Sequence, residues 1–398
     1  MSSVVIIDAV RTPIGRRKGG LQGTHSADLL AAVLAEVVSR SGVAPDQIGQ
    51  VIGGCVGQVG MQAFNITRTA SLVAGIPLTV PATTIDAQCG SGQQSFALAH
   101  SLIASGTVDV AIACGVENMS RVPMGSSLGT GLGKAIPKSY FEMYQFTSQF
   151  QGAELIARKW GINRDDLDEF GVRSQASAAA AWDSGWFDSQ ILNIDSPELD
   201  AEGVATGVIL SVSRDECLRA TDKATLAGLK PVIGENDRVI GPEPGIHTAA
   251  TASQIADGAA AVLLASEEAA TRLGLTPRAR VVDNCLVGSD PVLMLTGPID
   301  ATNRLLARTK LTPNDFGVVE INEAFAAVVL AWQREFAFPD EIVNPNGGAI
   351  ALGHPLGATG AILITKALNE LERTGSRHAL VTMCCGGGLG TGTVLAAL

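Results

Sequence analysis

Val43-Ala-Pro-Asp-Gln-Ile-Gly-Gln-Val-Ile-Gly53 and Leu311-Thr-Pro-Asn-Asp-Phe-Gly-Val-Val-Glu-Ile321 align without a gap, with Pro45 over Pro313, Gly49 over Gly317 and Val51 over Val319. In each copy a helical pattern ends, a short turn follows and a buried strand begins. An internal repeat of this kind predicts two similar halves. Working outward, short apolar runs bounded by glycine, Val4–Ile7, Val51–Ile52, Val108–Ala113, Val318–Ile321 and Ala379–Met383, alternate with helical patterns, the signature of an α/β protein with a largely buried sheet. One helix is expected from Ser26, read as its cap, with Leu29, Leu30, Val33, Leu34, Val37 and Val38 on one face, Glu36 spaced to pair with Arg40, and Gly42 as the stop. Between the repeats the texture changes: Gly125–Gly133 is rich in Gly and Ser, Arg164–Trp182 is charged and helical, and Asp195–Val204 reads as a loop. The expected division is a first half over residues 1–118 completed by 250–270, an inserted segment over 119–249, and a second half over 271–398. Such an insertion is either a surface decoration or a cover over a site.

The bulk numbers exclude several classes. With 398 residues, 46% apolar, 17% charged and 45 glycines, the chain can bury a large core. A net charge of −11 argues against a nucleic-acid partner, which would need clustered Lys and Arg, so a polyanionic ligand must meet a local cationic patch. Apolar runs such as Ala324–Trp332 are too short for a membrane span, and Met1–Asp8 has no basic leader and reads as a buried strand, so a cytoplasmic protein is expected. Seven scattered cysteines, Cys55, Cys89, Cys114, Cys217, Cys285, Cys384 and Cys385, then read as reduced thiols. No Cys-x-x-Cys or His-x-x-x-His spacing supports a metal site, and the histidines 25, 100, 247, 354 and 378 lie far apart.

Four segments carry chemistry. Thr84-Ile-Asp-Ala-Gln-Cys89-Gly-Ser-Gly-Gln-Gln-Ser95 runs into a helical pattern over Ser95–Ile103, which puts Cys89 at a helix N-terminus where amides and the dipole favour a thiolate; taken alone, Cys89 reads rather as a small buried apolar residue, the usual fate of a free cysteine. Asn344–Gly360 brackets His354 with glycines and a proline on a tight turn before another helix. Val381-Thr-Met-Cys384-Cys-Gly-Gly-Gly-Leu-Gly390 is a strand that breaks into glycines whose amides can face a developing negative charge; its glycines superficially suggest a dinucleotide loop, but Val394–Leu398 continues as strand with no helix to receive a phosphate. Asn322-Glu-Ala-Phe-Ala326 follows the buried strand of the second repeat, either as site residues at a strand's carboxyl end or with Asn322 as a helix cap.

Together these segments resemble the thiolases, the acetyl-CoA acetyltransferases and 3-oxoacyl-CoA thiolases, from Arg11-Thr-Pro-Ile-Gly15 to the C-terminus and in the family's order. The resemblance implies an α/β thiolase fold, two similar halves stacked as a five-layer αβαβα core with an inserted loop domain. It implies Cys89 as the acylated nucleophile, His354 as its base and Cys384 as a second acid/base. The amides of Cys89 and Gly386 would form one oxyanion hole, and His354 with a water held by Asn322 the other. Coenzyme A and acetyl-CoA are the implied substrates, with no permanent cofactor. Ser253, in Gly245–Gly258, resembles the pantetheine contact, Arg219 the cation over the ADP moiety, and Ala324 and Phe325 belong to the same substrate wall. A homodimer, paired into a tetramer through the insertion, is also implied.

The chain departs from the commonest family pattern at Ser148-Gln149-Phe150, where many members have His-Met-Gly, and at Thr251, where Asn is usual. Gln149 and Phe150 resemble actinobacterial thiolases acting on bulky, including steroid-derived, substrates. The competing readings are a β-ketoacyl synthase-like condensing enzyme, which characteristically lacks a second active-site cysteine, a non-catalytic acyl-CoA or lipid binder of the same fold, and, more remotely, a cysteine protease.

Overall fold

The structure is a computed structural model that describes residues 2–128, 131 and 133–398. Gly129, Thr130 and Leu132 of the Gly/Ser-rich stretch lie outside it, as does Met1. The first half runs β1 (Val4–Arg11), β2 (Gly15–Arg16), α1 (Ser26–Ser41), β3 (Gln50–Gly54), α2 (Ile66–Val73), β4 (Ala82–Ile85), α3 (Ser91–Ala104) and β5 (Val110–Asn118). Next come α4 (Tyr140–Met143), α5 (Gln149–Lys159), α6 (Arg164–Asp183), β6 (Ile194–Leu199), β7 (Ala205–Val212) and α7 (Lys223–Ala227). The chain then returns as β8 (Ala256–Ser266) and α8 (Glu267–Leu273). The second half runs β9 (Ala279–Gly288), α9 (Gly297–Thr309), β10 (Val318–Ile321), α10 (Ala326–Glu335), α11 (Ala349–Leu352), α12 (Leu356–Thr374), β11 (His378–Cys385) and β12 (Leu389–Ala397).

Among the described residues one ten-stranded sheet path runs β10-β11-β12-β9-β1-β8-β5-β3-β4, with β2 beside β8. It is two sheets in practice, because β1 and β9 are joined only through Val5↔Arg280 and Ile6↔Ala279. The repeat is exact in register. Val51 pairs with Ile112 and with Ala82, both parallel; its counterpart Val319 pairs with Leu380 and makes a single parallel bridge to Val343. Each half then adds an antiparallel strand, β8 beside β5 and β12 beside β11.

Three apolar cores explain the stacking. Residues of α1 pack on the outer face of the first sheet, around Leu30, Leu34 and Val51. Residues of α9 and α10 pack on the outer face of the second, around Leu305, Val319 and Trp332. Between the sheets lie α3 and α12, through Phe96, Ile362 and Met383. The layers are therefore helix, sheet, helix, sheet, helix. The central strands β1, β5, β8 and β11 are buried along their whole lengths, as strands covered on both faces must be.

Local expectations fail in three places. The cap of α1 is His25, whose Nδ1 accepts from the Ala27 amide, while the Ser26 hydroxyl is buried against Gln62. Arg40 turns from Glu36 to Asp8 at 2.8 Å, where a mostly buried carboxylate is the stronger partner. Part of the stretch 195–204 is β6, which gains its order from pairing with β7.

In the middle layer α3 and α12 approach backbone to backbone. A Cβ at Gly92 would meet the Gly357 carbonyl at 2.7 Å, and one at Gly360 would sit far inside van der Waals contact with the Gln93 amide nitrogen. No side chain fits there. Gly360→Ala should therefore lower stability by about 1–3 kcal/mol through overpacking, read as a lower chemical denaturation midpoint. An unchanged midpoint would contradict this close contact.

Candidate active site

The site lies where the N-termini of α3 and α12 converge. Ahead of α3 the chain leaves β4 and turns sharply: Gln88 adopts φ 52°, a left-handed conformation uncommon outside glycine, and its amide is held by Asp86 at 2.6 Å. The Ser91 hydroxyl donates to the Gln88 carbonyl and accepts from the Ala87 amide, so Cys89 is presented on a braced turn with Gly90 as helix cap. The helix thus begins at Ser91, one turn earlier than the expected Ser95. Burial pushes the Cys89 thiol up to about 11, opposed by the amides of Gly386 and of Cys89 itself, which point at the sulfur.

His354 stands at the matching position before α12. Its amide donates to the Gln254 carbonyl at 3.0 Å, and its ring is buried, which pushes its pKa down to about 4. Thr359, one turn into α12, gives its hydroxyl hydrogen to the Pro355 carbonyl, so its oxygen receives the Nδ1 hydrogen of His354 at 2.6 Å. That network assigns the lone pair to Nε2, toward which the Asn322 amide donates at 3.3 Å. Asn322 is not a cap: α10 starts later, with Phe325 at its N-cap. The side-chain oxygen of Asn322 has no partner among the described residues.

The glycine-rich turn joins from β11. Alternation on that strand puts Cys384 in the core that holds Ala324 and Phe325, while the Cys385 sulfur lies under Gly90, 2.5 Å from where a Cβ there would be. Burial and the nearby charge of Cys89 push both thiols up. Gly387 and Gly388, both at φ 79°, turn the chain back into β12, so no helix follows the glycines.

A cleft of about 590 Å³ opens over this point, and Cys89, His354, Ser253, Ala324, Phe325 and Arg219 line it. So do Gln149 and Phe150, from the start of α5. Phe150 stands edge-on to Phe325 at 4.8 Å. The Ser253 amide donates to Ala324 and the Ala326 amide to Thr251, which splices the segment after the insertion onto the Asn322–Ala326 block. Asn322, Cys384 and Gly386 are not among the lining residues; Asn322 touches His354, and the Gly386 amide faces Cys89.

Several contributors escaped the sequence reading. Thr359 is one. Glu117, buried at the carboxyl end of β5, accepts from the amides of Val56, Gly57 and Gly357 and so fixes the start of α12; the strand-end rule that drew attention to Asn322 also points to it. Glu323 accepts from Ser174, Asn344 and the Ile350 amide, tying α6 to the turn that carries His354. Arg16 and Arg17 join Arg219 in the cleft wall, so the cationic patch that composition hides arises by convergence. Among the described residues no group of His, Cys, Asp or Glu is arranged to hold a metal ion, and no helix is long and apolar enough to cross a membrane.

Comparison with known proteins adds independent findings. The thiolase N-terminal domain matches residues 4–268 and the thiolase C-terminal domain residues 275–397. A steroid 3-ketoacyl-CoA thiolase of Mycobacterium tuberculosis is 45% identical over 99% of this chain and 94% of its own length. A beta-ketoadipyl-CoA thiolase of Acinetobacter baylyi is 41% identical over 99% of each. The crystal structure of the Bacillus anthracis acetyl-CoA acetyltransferase superposes with a TM-score of 0.88 at 36% identity, over 100% of this chain and 99% of that one. With both family domains matched in order along almost its whole length, and with a cysteine and a histidine presented by paired helix N-termini, the chain belongs to the thiolase family of acyltransferases.

Proposed function

We propose that this thiolase cleaves 3-oxoacyl-CoA esters larger than acetoacetyl-CoA by a ping-pong reaction on Cys89. The observation that carries this is the convergence of Cys89, its two inward amides and a His354 tautomer with an unprotonated Nε2 on one cleft. His354 Nε2 takes the Cys89 proton as the sulfur attacks the 3-oxo carbon, and the Cys89 and Gly386 amides receive the oxyanion. The C2–C3 bond breaks, and the departing enolate of acetyl-CoA, its thioester oxygen beside His354 and a water on Asn322, takes a proton from the Cys384 thiol. A free CoA thiol then returns a proton to Cys384 and attacks the acyl-Cys89 thioester, releasing the shortened acyl-CoA while the departing Cys89 sulfur takes back its proton from His354. Burial raises Cys89 and lowers His354, so the resting pair is neutral and charge develops only as the reaction proceeds.

For binding, we assign the CoA phosphates to Arg219 and the pantetheine arm to the Ser253 segment, under a cover formed by residues 119–249. Ser148, Gln149 and Phe150 shape the acyl end, and Gln149 and Phe150 line the cleft itself. A homodimer is supported by the free edge of β4 beside the exposed Phe64 and Leu78. Pairing of dimers is supported by exposed Phe141, Met143 and Tyr144 in the insertion. All seven cysteines are buried free thiols, in keeping with a cytoplasmic setting.

Three outcomes test this reading. Cys384→Ala should still acquire an acetyl group on Cys89 from acetyl-CoA while losing thiolysis by about 10²–10⁴-fold, whereas Cys89→Ala loses both and Cys385→Ala stays active; mass spectrometry with steady-state assays decides, and a dead Cys385→Ala beside a normal Cys384→Ala would sink the proton-transfer assignment. Because His354 is held neutral to about pH 4, acetylation of Cys89 should lack the inflection near pH 6.5 that an ordinary histidine would give; rapid-quench rates from pH 5 to 8 would reveal one. Finally, kcat/KM for a polycyclic or long-chain 3-oxoacyl-CoA should at least equal that for acetoacetyl-CoA, and a strong preference for the four-carbon ester would contradict the pocket assignment.

A further inference from the structure

Arg16 and Arg17 lie in the cleft wall with their side chains exposed, and among the described residues neither guanidinium has an ion pair or hydrogen bond. Their backbone, by contrast, is fixed. Arg16 pairs with Ala256 at the start of β8, and the Glu216 carboxylate accepts from the amides of Arg16 at 3.1 Å and Gly20 at 3.0 Å. The Lys18 amide donates to the Ser120 hydroxyl at 2.8 Å, which sets this turn directly against Met119. Met119 and Met124 line the same cleft, as do Phe150, Leu295 and Leu356. Cys89, these apolar side chains and two guanidinium groups on a rigid turn therefore share one cleft.

An acyl chain ending in a methyl group offers nothing to those cations. A carboxylate does: two guanidinium groups supply planar donor forks that match its oxygens, in a cleft partly shielded from water. We propose that Arg16 and Arg17 select acyl chains whose far end carries a carboxylate, so that the substrates are mono-CoA thioesters of 3-oxo-dicarboxylic acids. This rests on the thiolytic reading of Cys89 and His354 and deepens it. The balance is that of ordinary thiolysis: the 3-oxo-dicarboxylyl-CoA and free CoA give acetyl-CoA and an ω-carboxyacyl-CoA two carbons shorter, with the distal carboxylate unchanged.

The test uses matched pairs at two lengths, 3-oxohexanoyl-CoA against 3-oxoadipyl-CoA and 3-oxooctanoyl-CoA against 3-oxooctanedioyl-CoA, with the full-length enzyme. At one length or both, the ratio of kcat/KM for the carboxylated over the methyl-ended ester should exceed 10, carried mainly by KM. In the Arg16→Gln, Arg17→Gln double variant that ratio should fall by about 10–100-fold, the range expected for charge-assisted hydrogen bonds, and the double lysine variant should restore part of it. Preference for the methyl-ended ester at both lengths, or a ratio unmoved by the double variant, overturns the proposal. So does an equal loss on both members of a pair, which would assign the arginines to the CoA phosphates. Failure of the thiolytic reading looks different: the unaltered enzyme would then cleave no 3-oxoacyl-CoA, acetoacetyl-CoA included, and form no acyl-Cys89.

Discussion

Gly92 and Gly360 meet where α3 crosses α12, and the rest of the site depends on that crossing. The two helices are equivalent members of the repeated halves, and packing them without side chains between their backbones brings their N-termini to one place. One terminus presents Cys89 and the other follows His354. Cys89 and His354 thus become neighbours through the pseudo-symmetry of the fold, although they lie in opposite halves of the sequence. The dipoles of both helices also point their positive ends at the reacting centre, which favours thiolate and oxyanion alike.

Burial at that point raises acids and lowers bases, and the surrounding hydrogen bonds decide which groups remain usable. The Cys89 sulfur sits before two amides, which offset part of its desolvation. Among the described residues His354 has no carboxylate partner; Thr359 fixes its tautomer without adding charge. A carboxylate there would favour the imidazolium, as in many nucleophile-base pairs, whereas a hydroxyl keeps the ring a neutral acceptor. Carboxylates are present nearby, but Glu117 and Glu323 are spent on backbone amides and loop anchoring one layer back.

The repeat, the strand runs and the four motif blocks were legible in the sequence because each is local: apolar period, glycine punctuation and proline placement all act within a few residues. Even so, small choices went astray where a tertiary partner competed, as with Asp8 drawing Arg40 from Glu36 and Gln62 drawing the Ser26 hydroxyl away from capping. The cationic wall was illegible for a different reason. Arg16 and Arg17 reach Arg219's cleft only because Glu216, in the insertion, holds the turn after β1 by its amides, and no local pattern encodes that meeting.

The strand β8 lies between β1 and β5 in the first sheet, yet the chain makes it only after the insertion. During synthesis the first half therefore waits as an unfinished sheet, with β1 and β5 both lacking their shared neighbour until Ala256–Ser266 has emerged. The buried Arg11–Asp215 pair, at 2.8 Å, likewise joins β1 to a residue made long after it. Closure of the first half is thus a long-range event, slow in the way that non-local pairing is slow. A nascent chain stopped short of β8 would expose open strand edges, the state in which chaperone capture competes with aggregation.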